Sequence, residues 1–216
     1  MMEIPVNIYE EVFPRVNVAE IDVVEGAAGP GRRLVVWLQG CLKRCPGCAN
    51  AAFLPERPAH VVEVTYLLDS LDACGVCDGV TLSGGEPVLQ AAALLPFLQA
   101  VHERGLTVMC YSGYQLEELS APDQDPVLKQ FLSYLDLLVD GEYQPELPRR
   151  GAYLPTANQR LHFLSGRIPP ESSNAPVETV FDIRKGQAFI TGTLPSDLRR
   201  ILFSKLRDAG IILKAR

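Results

Sequence analysis

Short apolar runs alternate with amphipathic segments along the first two thirds of the chain. Residues 34–38 are continuously apolar, which is typical of a strand buried on both faces, and residues 61–73 carry apolar side chains at helical spacing. The same pair recurs as a strand over residues 79–83 and a helix over residues 88–104, which Gly105 ends. Because strands that alternate with helices form parallel sheets, the pattern predicts an α/β fold with crossover helices.

The alternation continues to residue 140. Residues 106–111 and 135–140 are predicted to be two further strands, and short helical stretches begin at Gln115 and at about residue 125. Sheets of this kind bind their ligands at the carboxyl ends of the strands. Functional residues are therefore expected in the loops that follow the strands.

The chain after residue 166 departs from this pattern. A linker rich in proline and serine, RIPPESSNAP, precedes a predicted strand pair around the turn RKGQ and a helix over about residues 196–209. We therefore divide the chain into a core of residues 1–166 and a C-terminal appendage of residues 167–216, composed of a linker, a hairpin and a helix. The alternating segment VNVAEIDVV near the N-terminus is assigned to the core.

Composition and charge narrow the class of protein. Of the 216 residues, 47% are hydrophobic and 21% are charged, which is typical of a globular protein and not of a disordered or fibrous one. The net charge of -6 disfavours binding to nucleic acid. No apolar run approaches the ~18 residues of a spanning helix, and the N-terminal segment is acidic where a secretory signal is basic. We expect a cytoplasmic protein that binds neither nucleic acid nor a membrane.

Three of the six cysteines lie in the loop that follows the first predicted strand. Cys41, Cys45 and Cys48 form a C-x3-C-x2-C motif. Three thiolates on one loop can bind three irons of a four-iron cluster, whereas a four-cysteine site leaves no iron open. An iron without a protein ligand can bind a small molecule through an amine and a carboxylate, as catalytic metal sites retain an open position.

A glycine-rich motif, Ser83-Gly84-Gly85-Glu86-Pro87, follows the second predicted strand. It is expected at the same end of the sheet as the cysteines. The glycines allow a ligand to approach the backbone closely, Glu86 offers an acceptor for an ammonium group, and Pro87 suits the first turn of a helix. Such a turn is by itself usually only a connection, so its significance depends on the cysteine motif.

In this order, and with about 35 residues between them, the two motifs resemble the radical S-adenosylmethionine superfamily. More narrowly, the chain resembles the activating proteins of anaerobic ribonucleotide reductase and other glycyl-radical-enzyme activases. The stretches that carry this resemblance are GCLKRCPGCAN at 40–50, TLSGGEP at 81–87, YSGY at 111–114, LLVDGEY at 137–143 and ANQR at 157–160. Together they cover about residues 25–165.

The resemblance implies an incomplete parallel β/α barrel with an iron-sulfur cluster at its open top. It implies that Cys41, Cys45 and Cys48 hold a 4Fe-4S cluster and that S-adenosylmethionine binds the fourth iron. The cofactor-binding residues that it implies are Ser83, Gly84, Gly85 and Glu86 beside the methionine amino group, with Ser112 and Asp140 near the cofactor.

The same resemblance implies a reaction and its partners. One-electron reduction of the cluster cleaves S-adenosylmethionine to methionine and a 5'-deoxyadenosyl radical, which abstracts hydrogen from a glycine of a partner glycyl-radical enzyme. An electron donor such as flavodoxin or ferredoxin would supply the electron. The cofactors carry the chemistry, and the protein orients and shields them.

Two other classes of function compete with this interpretation. One is a member of the same superfamily that modifies a small molecule or peptide. The other is a non-catalytic iron-sulfur carrier or zinc-ribbon module, since Cys45 and Cys48 with Cys74 and Cys77 have near zinc-ribbon spacing. The predicted strand order places these pairs at opposite ends of the sheet. We expect Cys74 and Cys77 to be unpaired thiols, rather than an auxiliary cluster or a redox pair, and Cys110 to lie in the core.

Overall fold

The computed structural model describes residues 14–149, 151, 153–174, 179–184, 187–191 and 196–214. In chain order its strands and helices are β1 (Arg15–Glu25), β2 (Arg32–Leu38), β3 (His60–Glu63), α1 (Val64–Ala73), β4 (Gly79–Gly84), α2 (Ala91–Glu103), β5 (Thr107–Tyr111), α3 (Leu116–Leu119), α4 (Pro126–Ser133), β6 (Leu137–Asp140), β7 (Arg160–Phe163), β8 (Val180–Arg184), β9 (Gln187–Thr191), α5 (Ser196–Asp208) and β10 (Ile212–Lys214).

Seven strands form one sheet in the order β3-β1-β2-β4-β5-β6-β7. Strands β2, β4, β5 and β6 are parallel, which confirms the predicted α/β fold with crossover helices. Strands β1, β3 and β7 pair antiparallel at the two flanks. The sheet is therefore mixed, and among the described strands β3 and β7 remain unpaired edges, so it does not close into a barrel.

The two faces of the sheet have different surroundings. Leu34, Val36 and Leu38 of β2 lie on the outer face, in one buried cluster with Leu67 of α1 and Phe97 of α2. Side chains of alternate strand residues point to opposite faces, so the residues between them face inward. Helices thus cover the outer face, and the inner face is left for a ligand.

A buried arginine fills the inner face near the amino ends of the parallel strands. Arg33 of β2 donates from Nε to the Thr81 hydroxyl at 2.8 Å and from Nη2 to the carbonyls of Val80 at 2.7 Å and Thr107 at 3.0 Å. Burial lowers the pKa of its guanidinium to about 10. These hydrogen bonds offset the cost of burying a charge. The inner face is therefore filled at this end, and the space for a ligand lies toward the carboxyl ends of the strands.

Several boundaries differ from the sequence-based predictions. Residues 61–63, predicted as the first turn of a helix, instead belong to the strand His60–Glu63, because this segment pairs with β1. Strand β7 was not predicted. The C-terminal segment has one strand more than the predicted hairpin and helix. Strand β10 pairs parallel to β9, so that β8, β9 and β10 form a separate three-stranded sheet. The division of the chain at residue 166 stays a prediction. Ile168, beyond it, packs in the inner-face cluster of the seven-stranded sheet.

Cys74 and Cys77 are joined by a disulfide, so the expectation of two unpaired thiols was wrong. They follow α1, and the Cys74 carbonyl accepts a hydrogen bond from the Arg32 side chain at the beginning of β2. The cysteine motif lies beyond the other end of that strand. Cys110 is fully buried in the outer-face cluster. No helix in the described ranges is long and apolar enough to cross a membrane.

Candidate active site

A cavity of about 580 Å³ lies on the inner face, at the carboxyl ends of the parallel strands. Volumes of roughly 300 to 1,000 Å³ are usual for small-molecule sites. Eight of the nine residues proposed from sequence line it: Cys41, Cys45, Cys48, Ser83, Gly84, Gly85, Glu86 and Ser112. The structure thus brings the two motifs, separated in sequence, to one site.

The cysteine loop is anchored to the rest of the fold by its own backbone. The Gly40 N–H donates to the Phe53 carbonyl at 2.8 Å, and the Cys41 N–H donates to the Leu54 carbonyl at 3.0 Å. Within the loop, the Cys48 N–H donates to the Cys45 carbonyl at 3.2 Å. The three cysteines are not disulfide-bonded. Their thiols are available as ligands on a loop held at both ends.

The three thiols line a common cavity in a buried to half-buried environment. Burial raises the pKa of Cys45 and of Cys48, and backbone hydrogen bonds from Tyr143 and Asn50 act in the opposite direction. Among the described residues, no three histidine, cysteine or acidic side chains are arranged to hold one ion. Each cysteine of a four-iron cluster binds a different iron, so three free thiols that line a common cavity fit that group.

The glycines of the second motif join it to the cysteine loop. The Gly85 N–H donates to the Leu38 carbonyl at 2.7 Å, and the Glu86 N–H donates to the Gly40 carbonyl at 2.8 Å. A Cβ atom on Gly85 would lie 2.2 Å from the Gly40 carbonyl oxygen, closer than any real contact. From the sequence, these glycines are expected to let a ligand approach the backbone. The structure shows a further reason, because Gly85 lets the two loops pack backbone to backbone.

Glu86 is almost fully buried and lines the cavity. Its carboxylate accepts hydrogen bonds from the Ser112 hydroxyl at 2.9 Å, the Gly113 N–H at 2.8 Å and the Val88 N–H at 3.3 Å. Burial raises the pKa of Glu86 to about 7, although these hydrogen bonds favour the charged form. A carboxylate accepts about four hydrogen bonds. The group therefore retains capacity for one cationic donor inside the cavity.

Asp140 is the one proposed site residue that the structure does not bring to the cavity lining. Its buried carboxylate accepts a hydrogen bond from the Leu116 N–H at 2.7 Å and from Arg160 Nε at 3.0 Å. Arg160 also donates to Glu117 at 2.6 Å. Burial by itself raises the pKa of Asp140, but the Arg160 and Leu116 hydrogen bonds help to hold it below its usual value. In this structure Asp140 ties β6, β7 and α3 together.

Several residues that line the cavity were not predicted from the sequence. Trp37 and Tyr111 supply apolar surface from the strands, and Tyr153 is buried at the cavity with a left-handed φ of 59°. Ile190 and Thr191 of β9 also line the cavity, so the C-terminal sheet contributes to its wall. The alternation of inward and outward residues could have indicated Trp37. Nothing in the local sequence places β9 there.

Known proteins are similar to this chain over the range that contains the site residues. A family model described as a 4Fe-4S single cluster domain matches residues 27–162. The chain is 34% identical over 147 residues to the anaerobic ribonucleoside-triphosphate reductase-activating protein of Pasteurella multocida (strain Pm70), covering 62% of this chain and 89% of that protein. The chain belongs to the radical S-adenosylmethionine activase family.

Two further relatives of this activase carry related names. The anaerobic ribonucleoside-triphosphate reductase-activating protein of Enterobacteria phage T4 is 27% identical, over 71% of this chain and 92% of that protein. A putative glycyl-radical enzyme activating enzyme of Haemophilus influenzae (strain ATCC 51907 / DSM 11121 / KW20 / Rd) is 37% identical over 86 residues, which cover 38% of this chain and 32% of that protein. The cofactors implied by membership are a 4Fe-4S cluster and S-adenosylmethionine, as expected from the sequence.

Proposed function

We propose that this activase uses S-adenosylmethionine to generate a glycyl radical on a partner enzyme of the anaerobic ribonucleotide reductase type. In this proposal Cys41, Cys45 and Cys48 hold the 4Fe-4S cluster. The observation that carries the proposal is the single cavity that three free thiols share with the glycine-rich motif. When bound, the reduced cluster and S-adenosylmethionine supply a 5'-deoxyadenosyl radical that can abstract hydrogen from glycine.

The protein's own groups bind and orient the cofactor in this proposal. The Glu86 carboxylate accepts the methionine ammonium, because it is buried, lines the cavity and has a lone pair to spare. Ser112 and Gly113 hold that carboxylate in place. Trp37 and Tyr111 exclude water from the inner face, where a reactive radical would otherwise be lost. Asp140 acts in this proposal by holding α3 and β7 beside the site.

The rim of the cavity is open to a macromolecule. Gly47, Ala49 and Arg149 line the cavity and are exposed at the surface. At this rim the small residues Gly47 and Ala49 leave room for an extended peptide that carries a glycine. Binding of such a segment would also close the site to water. A soluble donor such as flavodoxin or ferredoxin is the electron source we expect.

The proposal is tested by forming the radical on a partner. We expect the anaerobically reconstituted protein alone, with strong reductant, to cleave S-adenosylmethionine slowly and without coupling. With the anaerobic reductase of the same genome it should produce a glycyl radical, seen as a doublet by electron paramagnetic resonance. The proposal would be overturned if no glycyl-radical protein acquired the signal while a free small molecule was turned over in step with 5'-deoxyadenosine. That result would favour a small-molecule enzyme of the same superfamily.

We expect Glu86→Gln to weaken S-adenosylmethionine binding roughly tenfold, because a charge-assisted hydrogen bond to the ammonium becomes a neutral one. The cluster should still form, since the Glu86 side chain does not contact the cysteines through any hydrogen bond of the described residues. Equilibrium binding to the cluster-loaded protein measures the first effect, and iron content measures the second. Glu103→Gln, on the exposed surface of α2, is the matched control. Unchanged affinity in Glu86→Gln would refute the role of Glu86.

The same variant has a predicted pH signature. The pKa of Glu86 is raised by burial from 4.5 to about 7, so between these pH values the folded protein holds a proton that the unfolded chain has released. Without cofactor, this group makes stability fall as the pH rises from about 4.5 to 7. In denaturant unfolding, the unfolding free energy of Glu86→Gln relative to that of the wild type should therefore increase as the pH rises across this range. Identical slopes would show that Glu86 does not titrate in this range.

A further inference from the structure

Lys43 links the cysteine loop to the ends of the strands on the far side of the cavity. Its Nζ lies 3.3 Å from Glu142 Oε1 and 4.0 Å from Glu118 Oε1. The same atom lies 4.1 Å from the centroid of the Tyr114 ring. Glu142 follows β6, Glu118 belongs to α3 and Tyr114 follows β5. One side chain of the loop therefore contacts three separate parts of the fold.

The stem of this lysine is packed as well as its ammonium. A Cβ atom on Gly113 would lie 3.0 Å from Lys43 Cγ, so the glycine leaves the space through which the stem passes. Only 17% of the Lys43 side chain is exposed, and the residue lines the cavity together with the three free cysteines. Its ammonium is thus partly buried at the lining of the cavity that the three thiols share. Electrostatic interactions are stronger at such a position than at an exposed one.

We propose that Lys43 is a positioning residue that fixes the cysteine loop and raises the reduction potential of the cluster. The inference rests on the proposed function, because it requires the cluster at these cysteines. Reduction adds a negative charge to a centre that already has three thiolate ligands. An ammonium near the cluster stabilises the added charge. The two carboxylates that flank this ammonium destabilise the added charge. Hydrogen bonds and net charge near the sulfurs are known determinants of cluster potential.

The neighbouring residue provides a matched comparison. Arg44 has the same charge and lies in the same loop, but its guanidinium pairs with Glu56 at 2.9 Å. Its side chain is 56% exposed and does not belong to the cavity lining. Removing the Arg44 charge therefore changes the net charge of the loop as removing the Lys43 charge does. The two residues differ in exposure, in their ion-pair partners and in their position relative to the cavity.

The test is a redox titration of the cluster-loaded protein, followed by electron paramagnetic resonance. We expect Lys43→Met to shift the potential to more negative values, because Glu118 and Glu142 are left uncompensated. Glu142→Gln should shift it in the positive direction, and the double variant should lie between the two. Arg44→Met should remain close to the wild type, and Lys43→Arg, which keeps the positive charge, should retain most of the wild-type potential. Opposite shifts distinguish a charge effect from a structural defect.

A second readout uses the protein without a cluster. If Lys43 holds the loop, Cys45 in Lys43→Met should be alkylated several-fold faster than in the wild type at a pH alkaline enough to ionise the thiol in every variant, whereas Arg44→Met should leave the rate unchanged. Potentials in Lys43→Met and Glu142→Gln that move in the same direction, or not at all, would overturn the electrostatic role. Equal alkylation rates would overturn the positioning role. Failure of the wild type to take up a cluster would instead refute the proposed function.

Discussion

Replacing Cys41, Cys45 or Cys48 with alanine is expected to abolish the 4Fe-4S cluster in each of the three variants. Each thiol is free and lines the same cavity, so no described cysteine is placed to substitute for the one removed. In each variant, one iron of the cluster loses its protein ligand, because three thiolates hold the cluster. Iron and sulfide content after anaerobic reconstitution measures the effect, and activation of the partner should be lost with it.

The remaining cysteines provide the controls. Cys74 and Cys77 form a disulfide near the beginning of β2, whereas the cysteine loop follows the opposite end of that strand. Cys110 is fully buried in the cluster of apolar residues on the outer face. The double variant Cys74→Ala/Cys77→Ala and the single variant Cys110→Ala should therefore keep a full cluster. Loss of iron in the double variant would contradict the assignment of the ligands.

Replacing Gly85 with alanine is expected to produce the second largest effect. The new Cβ would lie 2.2 Å from the Gly40 carbonyl oxygen and 2.8 Å from the Gly40 carbonyl carbon. Backbone atoms cannot rotate away as a flexible side chain can, so the cysteine loop or the end of β4 has to move. Overpacking of this kind costs roughly 1 to 3 kcal/mol of stability. Because Gly40 precedes Cys41, cluster occupancy should fall together with stability.

Gly166→Ala is the matched control for this variant, because an added Cβ there meets nothing within 4 Å. Its unfolding free energy and its iron content should match those of the wild type. Denaturant unfolding of the protein without cluster separates the loss of stability from the loss of iron. A Gly85→Ala variant with normal stability and a full cluster would show that the two loops do not pack as the structure describes.

Some of the strands and helices of the core were predictable from the sequence pattern, and others were not. The buried strand β2 and the helix after the glycine-rich motif lie near their predicted positions, because apolar periodicity is a local property. Strands β3 and β7 were missed because four-residue edge strands are defined by their neighbours. Residues 60–63 carry no strong pattern of their own, and their pairing with β1 makes them a strand.

The candidate site was likewise predictable from the sequence only in part. The three cysteines and the glycine-rich motif were identified from spacing, and the order of strands then predicted that they meet at one end of the sheet. The neighbours of each side chain were not predictable. Asp140 was expected near the cofactor, but Arg160, twenty residues along the chain, holds it outside the cavity lining.

The sequence by itself determined the α/β class, the cysteine motif and its meeting with Ser83–Pro87, because periodicity and residue spacing are written along the chain. Only the tertiary structure decided what surrounds them. Arg33 lies one residue before the apolar run predicted as a strand, but in the structure it belongs to β2 and is buried, where acceptors from β4 and β5 accommodate it. Lys43 contacts residues that lie 71 to 99 positions further along the chain. Such contacts depend on how distant elements pack, and no local pattern records that packing.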